Sequence, residues 1–86
     1  MAHHKDAIKR IKQNAKANAR NRHYRTMMRN QIKRVRAAVQ AGDSETAATE
    51  MRTATSIIHR LAGKGIIHRK QAARRISRLN ASVKGA

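Results

Sequence analysis

An all-α fold, an antiparallel three-helix bundle with a long, basic N-terminal helix protruding beyond it, follows from three observations on this 86-residue chain. There is no proline, and the first glycine is Gly42. The internal breakers then cluster at two points, Gly42 and the pair Gly63 and Gly65. Each of the three segments so delimited carries apolar residues at helical spacing, and none shows strand-type alternation.

The first element spans residues 4–41. Ala, Lys, Arg, Gln and Met dominate it, all good helix formers. At a rise of about 1.5 Å per residue it should run roughly 55 Å. Met28, Ile32, Val35 and Val39 give it an apolar stripe. In the "AGDS" that follows, Gly42 suits the position just past a helix end, and Asp43 or Ser44 suits the next N-cap. The second element runs from Ser44 to Ala62, with Ala47, Met51, Ala54, Ile58 and Leu61 as its stripe. The third runs from His68 to Val83, with Ala72, Ile76, Leu79 and Val83. Three such stripes joined by tight turns imply one domain over 1–86, its core lying between antiparallel neighbours.

The first stripe stops short of the first helix. Between Lys12 and Thr26 the only aliphatic residues are Ala15, Ala17 and Ala19. The second helix reaches only about 28 Å, so the first outruns it by roughly 25 Å. Residues 1–22 therefore read as a basic helical extension and 23–86 as the bundle. With nothing apolar to bury, the extension should fray in the free chain and order on a partner.

Charge follows the same division. Residues 1–36 hold twelve Lys and Arg against Asp6 alone; residues 63–86 hold seven and no acid. Between them, Arg52 and Arg60 face Asp43, Glu45 and Glu50. Solvated helices normally mix signs to gain i,i+4 pairs, and these outer segments do not. A formal net charge of +17 points to a polyanion. Lys5, Lys9, Lys12, Lys16 and Arg20 form one helical row. Arg22, Arg25, Arg29, Lys33 and Arg36 form another, and Lys70, Arg74 and Arg78, with Arg75 beside them, form a third. Asn14, Asn18, Asn21 and Asn30, with Gln13 and Gln31, interleave the first helix. Amides suit sugar hydroxyls, phosphate oxygens and base edges, so these too are candidate contacts.

Other chemistries fit poorly. With no Cys, and no i,i+4 pair among His3, His4, His23, His59 and His68, no metal or other cofactor is expected. His23 and His68 sit among basic residues and suit an anion. The four carboxylates are isolated or lie in the second helix's first turns, where they serve its dipole, and form no catalytic pair; no P-loop glycine pattern exists, so the chain does not read as an enzyme. The basic half offers a membrane only Ile8 and Ile11, and no small-molecule substrate is implied. The absence of an apolar leader and of Cys suggests the cytoplasm. Charge spread over about 40 Å or more of helix suits a folded RNA better than the short recognition helix of a DNA reader. A nucleoid-type DNA-compacting protein is the alternative.

The segments "KRIKQNAKANARNRHYR" (9–25), "MRNQIKRVRAAVQAGD" (28–43) and "KGIIHRKQAARR" (64–75) together resemble the bacterial small-subunit ribosomal protein S-twenty family over nearly the whole chain. The resemblance implies three helices with a protruding first one, direct binding to 16S rRNA, a structural role in assembly on the ribosome, and neighbouring ribosomal proteins as further partners. By match it carries over Lys9, Arg10, Gln13, Asn14, Asn21, Arg22 and Arg25 from the first helix. From the third-helix motif it carries over Lys64, Gly65, His68, Ala72, Ala73 and Arg74. The family often has Asn where Lys70 stands and Lys where Ile76 stands; Lys70 keeps contact potential, whereas Ile76 completes the apolar stripe and belongs to the core. Ala17-Asn18-Ala19 is less basic than in many relatives, so contacts there should be thinner.

Overall fold

The computed structural model describes residues 3–85, with side chains from residue 7 onward. Three helices follow in order: α1, His3–Gln40; α2, Ser44–Gly63; and α3, Arg69–Gly85. No strand occurs among the described residues. Each helix ends within two residues of its sequence-based limit.

The turns form for identifiable reasons. Gly42 has φ of 73°. Its amide bonds to the Val39 carbonyl at 3.1 Å, and the Asp43 amide bonds to the Ala38 carbonyl at 3.1 Å. These are the paired bonds of a Schellman motif, whose left-handed residue only glycine adopts without a Cβ penalty. Asp43 closes α1 through its amide and opens α2 through its side chain. Its Oδ1 accepts from the Thr46 amide at 3.1 Å and its Oδ2 from the Thr46 hydroxyl at 2.6 Å. The end of α2 repeats the device: Gly65 has φ of 76°, its amide bonds to Ala62, and the Ile66 amide bonds to Leu61.

α2 packs against both other helices, while α1 and α3 meet least extensively. Val35, Ile58 and Leu61 are the largest fully buried side chains, with Met28, Ile32, Met51, Ala54, Ala72 and Leu79 around them. Burying an aliphatic side chain of this kind stabilises by about 1.5–3 kcal/mol. Ile76 and Val83 are half-buried against this cluster, so Ile76 does lie on the core side of α3. On α1, Ala38 is buried and Val39 only half-buried, so the stripe turns slightly toward Ala38. The turn contributes Ile66 and Ile67, both buried, which periodicity within helices does not reveal.

Two polar expectations need correction. Gln31, expected to interleave an anion-binding face, is 5% exposed. Its Nε2 donates to the Glu50 backbone carbonyl at 3.0 Å and to Glu50 Oε2 at 2.5 Å. Glu50, expected to serve the helix dipole, is instead half of this α1–α2 clasp. A buried amide needs partners, and α2 supplies them.

The molecule extends 63 × 21 × 14 Å. α1 alone, at 38 residues, spans about 57 Å. Its core-facing positions begin at Tyr24 and continue through Met28, Gln31, Val35 and Ala38. The same alternation of three and four residues runs back through Asn21, Ala17, Asn14 and Arg10. There it meets no helix: every described side chain from residue 7 to 20 is exposed except half-buried Ala17.

Candidate nucleic-acid interface

Four concavities adjoin one another along the molecule, and arginine lines each of them. The first, about 310 Å³, lies on α1 and is formed by Asn18, Asn21, Arg22, Arg25, Thr26 and Arg29. The second, about 200 Å³, shares Arg25 and Arg29 and crosses to Gln71 and Arg75 of α3, with Met28, Ile66 and Ile67 as its floor. The third, about 110 Å³, lies between Arg36 of α1 and Arg75, Arg78 and Ser82 of α3. The fourth, about 210 Å³, runs along the outside of α3 past Gln71, Arg74, Arg75 and Arg78. None has a carboxylate in its wall. Each is near or below the size that encloses a small ligand. Joined through shared residues, they make an open trough suited to a chain-like anion.

The trough exists because α1 and α3 meet across the flank of α2. Arg25 fixes one wall: its Nη2 donates to the Ile66 carbonyl at 3.2 Å, tying α1 to the α2–α3 turn. The other guanidiniums of the trough make no hydrogen bond among the described residues and are exposed. Several like charges held within a Debye length of about 8–10 Å repel, and phosphate oxygens between them would reverse that sign.

The structure thus brings Asn21, Arg22, Arg25, Arg29, Arg74, Arg75 and Arg78 together. It separates them from Lys9, Lys12, Lys16 and Arg20, all exposed on the overhang. At about 100° per residue, that lysine row stands well over 90° around α1 from the Arg22–Arg29–Arg36 row. The two rows address different directions. Arg10, Gln13 and Asn14 are exposed between them, Lys33 and Lys70 are exposed outside the trough, and the side chain of Lys5 lies outside the described residues.

At the α2–α3 corner and on the Tyr24 ring beside it, four expected contacts have structural occupations. Lys64 caps α2 and its Nζ stands 5.3 Å from the centre of the Tyr24 ring, a cation–π distance. His23 meets the same ring edge-on at 5.7 Å. Gly65 serves the turn through its positive φ. His68 precedes α3 rather than starting it: its Nδ1 accepts from the Lys70 amide at 3.1 Å, which caps the helix. That bond requires the lone pair on Nδ1 and leaves Nε2 for a partner.

Sequence reasoning left Gln71, Thr26 and Ser82 out of the site, and gave Arg36 a row but no contact. Gln71 was detectable, being four residues before Arg75 on the same face. Exposed Ile8 and Ile11, at 43% and 67%, form a small apolar edge on the overhang. Among the described residues, no three His, Cys, Asp or Glu side chains gather as metal ligands. Among the same residues, no helix is long and apolar enough to cross a membrane.

Residues 2–84 match the family model described as Ribosomal protein S20. The chain is 54% identical to the small ribosomal subunit protein bS20 of Pelobacter propionicus, over 96% of this chain and 95% of that one. It is 54% identical to the bS20 of Magnetococcus marinus, over 98% and 91%. It is likewise 54% identical to that of Solidesulfovibrio magneticus, over 100% and 97%. With the family's motifs in α1, at both turns and in α3, and the match running nearly end to end, this chain belongs to the ribosomal protein S20 family.

Proposed function

We propose that this protein is a structural constituent of the small ribosomal subunit that binds 16S rRNA directly and works on the cytoplasmic ribosome. The observation that carries the reading is the carboxylate-free arginine trough between α1 and α3, in a chain whose relatives are named small ribosomal subunit proteins. The trough takes the phosphates of one RNA segment. The lysine row on the overhang takes those of another, because it points elsewhere. Bridging two anionic strands offsets their repulsion and lowers the free energy of the folded RNA. α2, whose exposed face carries Thr49, Thr53 and Ser56 rather than a basic row, packs against both α1 and α3, braces the walls of the trough and stays off the RNA. The DNA-compacting alternative needs no second direction of charge.

The test is binding of the full chain to small-subunit rRNA against duplex DNA in competition at physiological salt. rRNA should win. With half a dozen phosphate contacts, log K against log salt should fall with a slope of about −4 to −5. Arg22→Ala and Arg74→Ala, both exposed and outside the core, should weaken binding and reduce that slope while helicity stays constant. A slope near zero, or preference for the duplex DNA, refutes the reading.

A further inference from the structure

We propose that Asn21 reads the ribose 2′-hydroxyl of a bound ribonucleotide, so that the cleft at the root of the overhang distinguishes RNA from DNA. The inference rests on the rRNA-binding reading above and adds the group that gives it sugar specificity.

Asn21 is half-buried, and its Oδ1 is shielded from solvent with no hydrogen-bond partner among the described residues. A shielded acceptor without a donor is destabilising. Asn in mid-helix is also unfavourable relative to Ala. Two costs fall on one position at the root of the overhang, three residues before Tyr24, where the hydrophobic contacts of α1 begin.

The surroundings define what would satisfy it. Arg22, Arg25 and Arg29 share the cleft with Asn21 and supply only donors. They match a phosphate, whose oxygens only accept. A phosphate therefore leaves Oδ1 unsatisfied, so the missing donor must come from another part of the nucleotide. Paired bases keep one free exocyclic amino hydrogen on A, C and G, but it lies at the base edge inside a groove, away from the phosphates. The 2′-hydroxyl lies nearer: A-form RNA displays it along a wide, shallow groove, on the sugar next to the phosphate. It also accepts, so it answers both ends of the amide, Oδ1 and Nδ2. Deoxyribose offers neither function.

The approach needs only side-chain movement. Ala17 and Asn18 precede Asn21 on this face, and neither is large. Arg22, Arg25 and Arg29 are long and exposed. Arg22 and Arg29, which line the same cleft, can swing toward a phosphate and leave room for the sugar at the amide.

The experiment uses the full chain and 16S rRNA transcripts in which one nucleotide type at a time is partly replaced by its 2′-fluoro analogue. Fluorine keeps the A-form sugar pucker and removes the hydroxyl donor. Bound and unbound transcripts are separated and sequenced. Wild-type protein should show 2′-fluoro interference at a discrete nucleotide. Asn21→Ala should lose that signal alone, keep the others, and bind unmodified rRNA about three- to tenfold more weakly. The free Asn21→Ala chain should melt at the same temperature or higher, because an unsatisfied acceptor and a weak helix former are both removed. A purely structural role for Asn21 predicts a lower melting temperature instead. An unchanged interference map or unchanged affinity overturns the assignment while leaving rRNA binding intact. Failure of the wild-type chain to prefer rRNA over duplex DNA overturns both.

Discussion

Gln31→Ala should cost the bundle about 2–3 kcal/mol, and the geometry sets that figure. The side chain is 5% exposed and makes two bonds to one residue of α2: Nε2 to the Glu50 carbonyl at 3.0 Å, and to the Glu50 carboxylate. A net neutral bond is worth about 1 kcal/mol and one to a charged group about 1.5–3. Half-buried Glu50 reaches water on one side, which places the second bond at the low end. Glu50→Gln separates the two, because the backbone bond survives; it should cost about 1 kcal/mol. The double variant should therefore fall short of additivity by about 1 kcal/mol. The assay is urea denaturation followed by far-ultraviolet circular dichroism on all four proteins at fixed salt. Salt must be held constant because Glu50 is one of only four acids in a chain of formal charge +17. Full additivity, with Gln31→Ala costing under about 0.5 kcal/mol, would refute the clasp and return Gln31 to the surface.

Gly65→Ala should destabilise by about 1–2 kcal/mol, the cost of a left-handed non-glycine residue, because nothing lies within 4 Å of the added Cβ to add a clash. Chemical denaturation would show it, and no change would mean that the turn relaxes. The carboxyl of Asp43 is held below the usual aspartate value, first by the Thr46 hydroxyl and then by the Thr46 amide. Its folded pKa is depressed, so its contribution is fully present above the unfolded value of about 4 and is lost as pH falls through the folded one. Asp43→Asn keeps a capping acceptor and should flatten that part of an acid titration of stability; an identical acid profile would exclude the cap as its source. Residues 7–20 should exchange their amides rapidly in the free protein and slowly on rRNA, because an isolated helix of that length is marginal in water. Strong protection there in the free protein would contradict the expected coupling of order to binding.

The helices were legible in the sequence because their causes are local. Glycine at 42 and 65 forces the stops, and the α2 stripe from Ala47 to Leu61 is buried at every expected position. Charge segregation marked α1 and α3 as the candidate binding elements for the same reason: a run without acids needs no tertiary information to recognise. What escaped depends on pairing across elements. Gln31 and Gln13 look alike in sequence, and only the arrival of α2 makes one a clasp. His68 reads as one more base in a basic stretch until its Nδ1 is seen to cap α3. Ile66 and Ile67 lie in a turn, where no period announces burial. The division of α1 into a lysine flank and an arginine flank was implicit in the spacing. The trough was not, because its second wall is α3.

The core-facing phase of α1 does not stop where the bundle stops. From Ala38 back to Tyr24 it is filled by groups that bury against α2 and α3. From Asn21 back to Arg10 the same positions hold Asn21, Ala17, Asn14 and Arg10, small or polar groups with no helix opposite. An apolar continuation would have demanded a longer α2 or exposed a sticky stripe. A uniformly basic one would have been a solvated rod, free to roll. Small and amide-bearing residues on this face permit close approach of a backbone that is itself polar, and the flanking lysines and arginines orient it. The overhang thus suits a partner that is not protein: on the proposed reading RNA takes the phase of the missing helices, which would tie the register of the core to the register of the interface. An insertion of one residue between Asn21 and Tyr24 would leave both halves intact in composition and rotate the amide face about 100° away from the trough. Such a chain should keep the wild-type melting temperature, since the core is untouched, and lose affinity for rRNA more than any single Arg→Ala change. Wild-type affinity in that variant would show that charge alone, without register, does the binding.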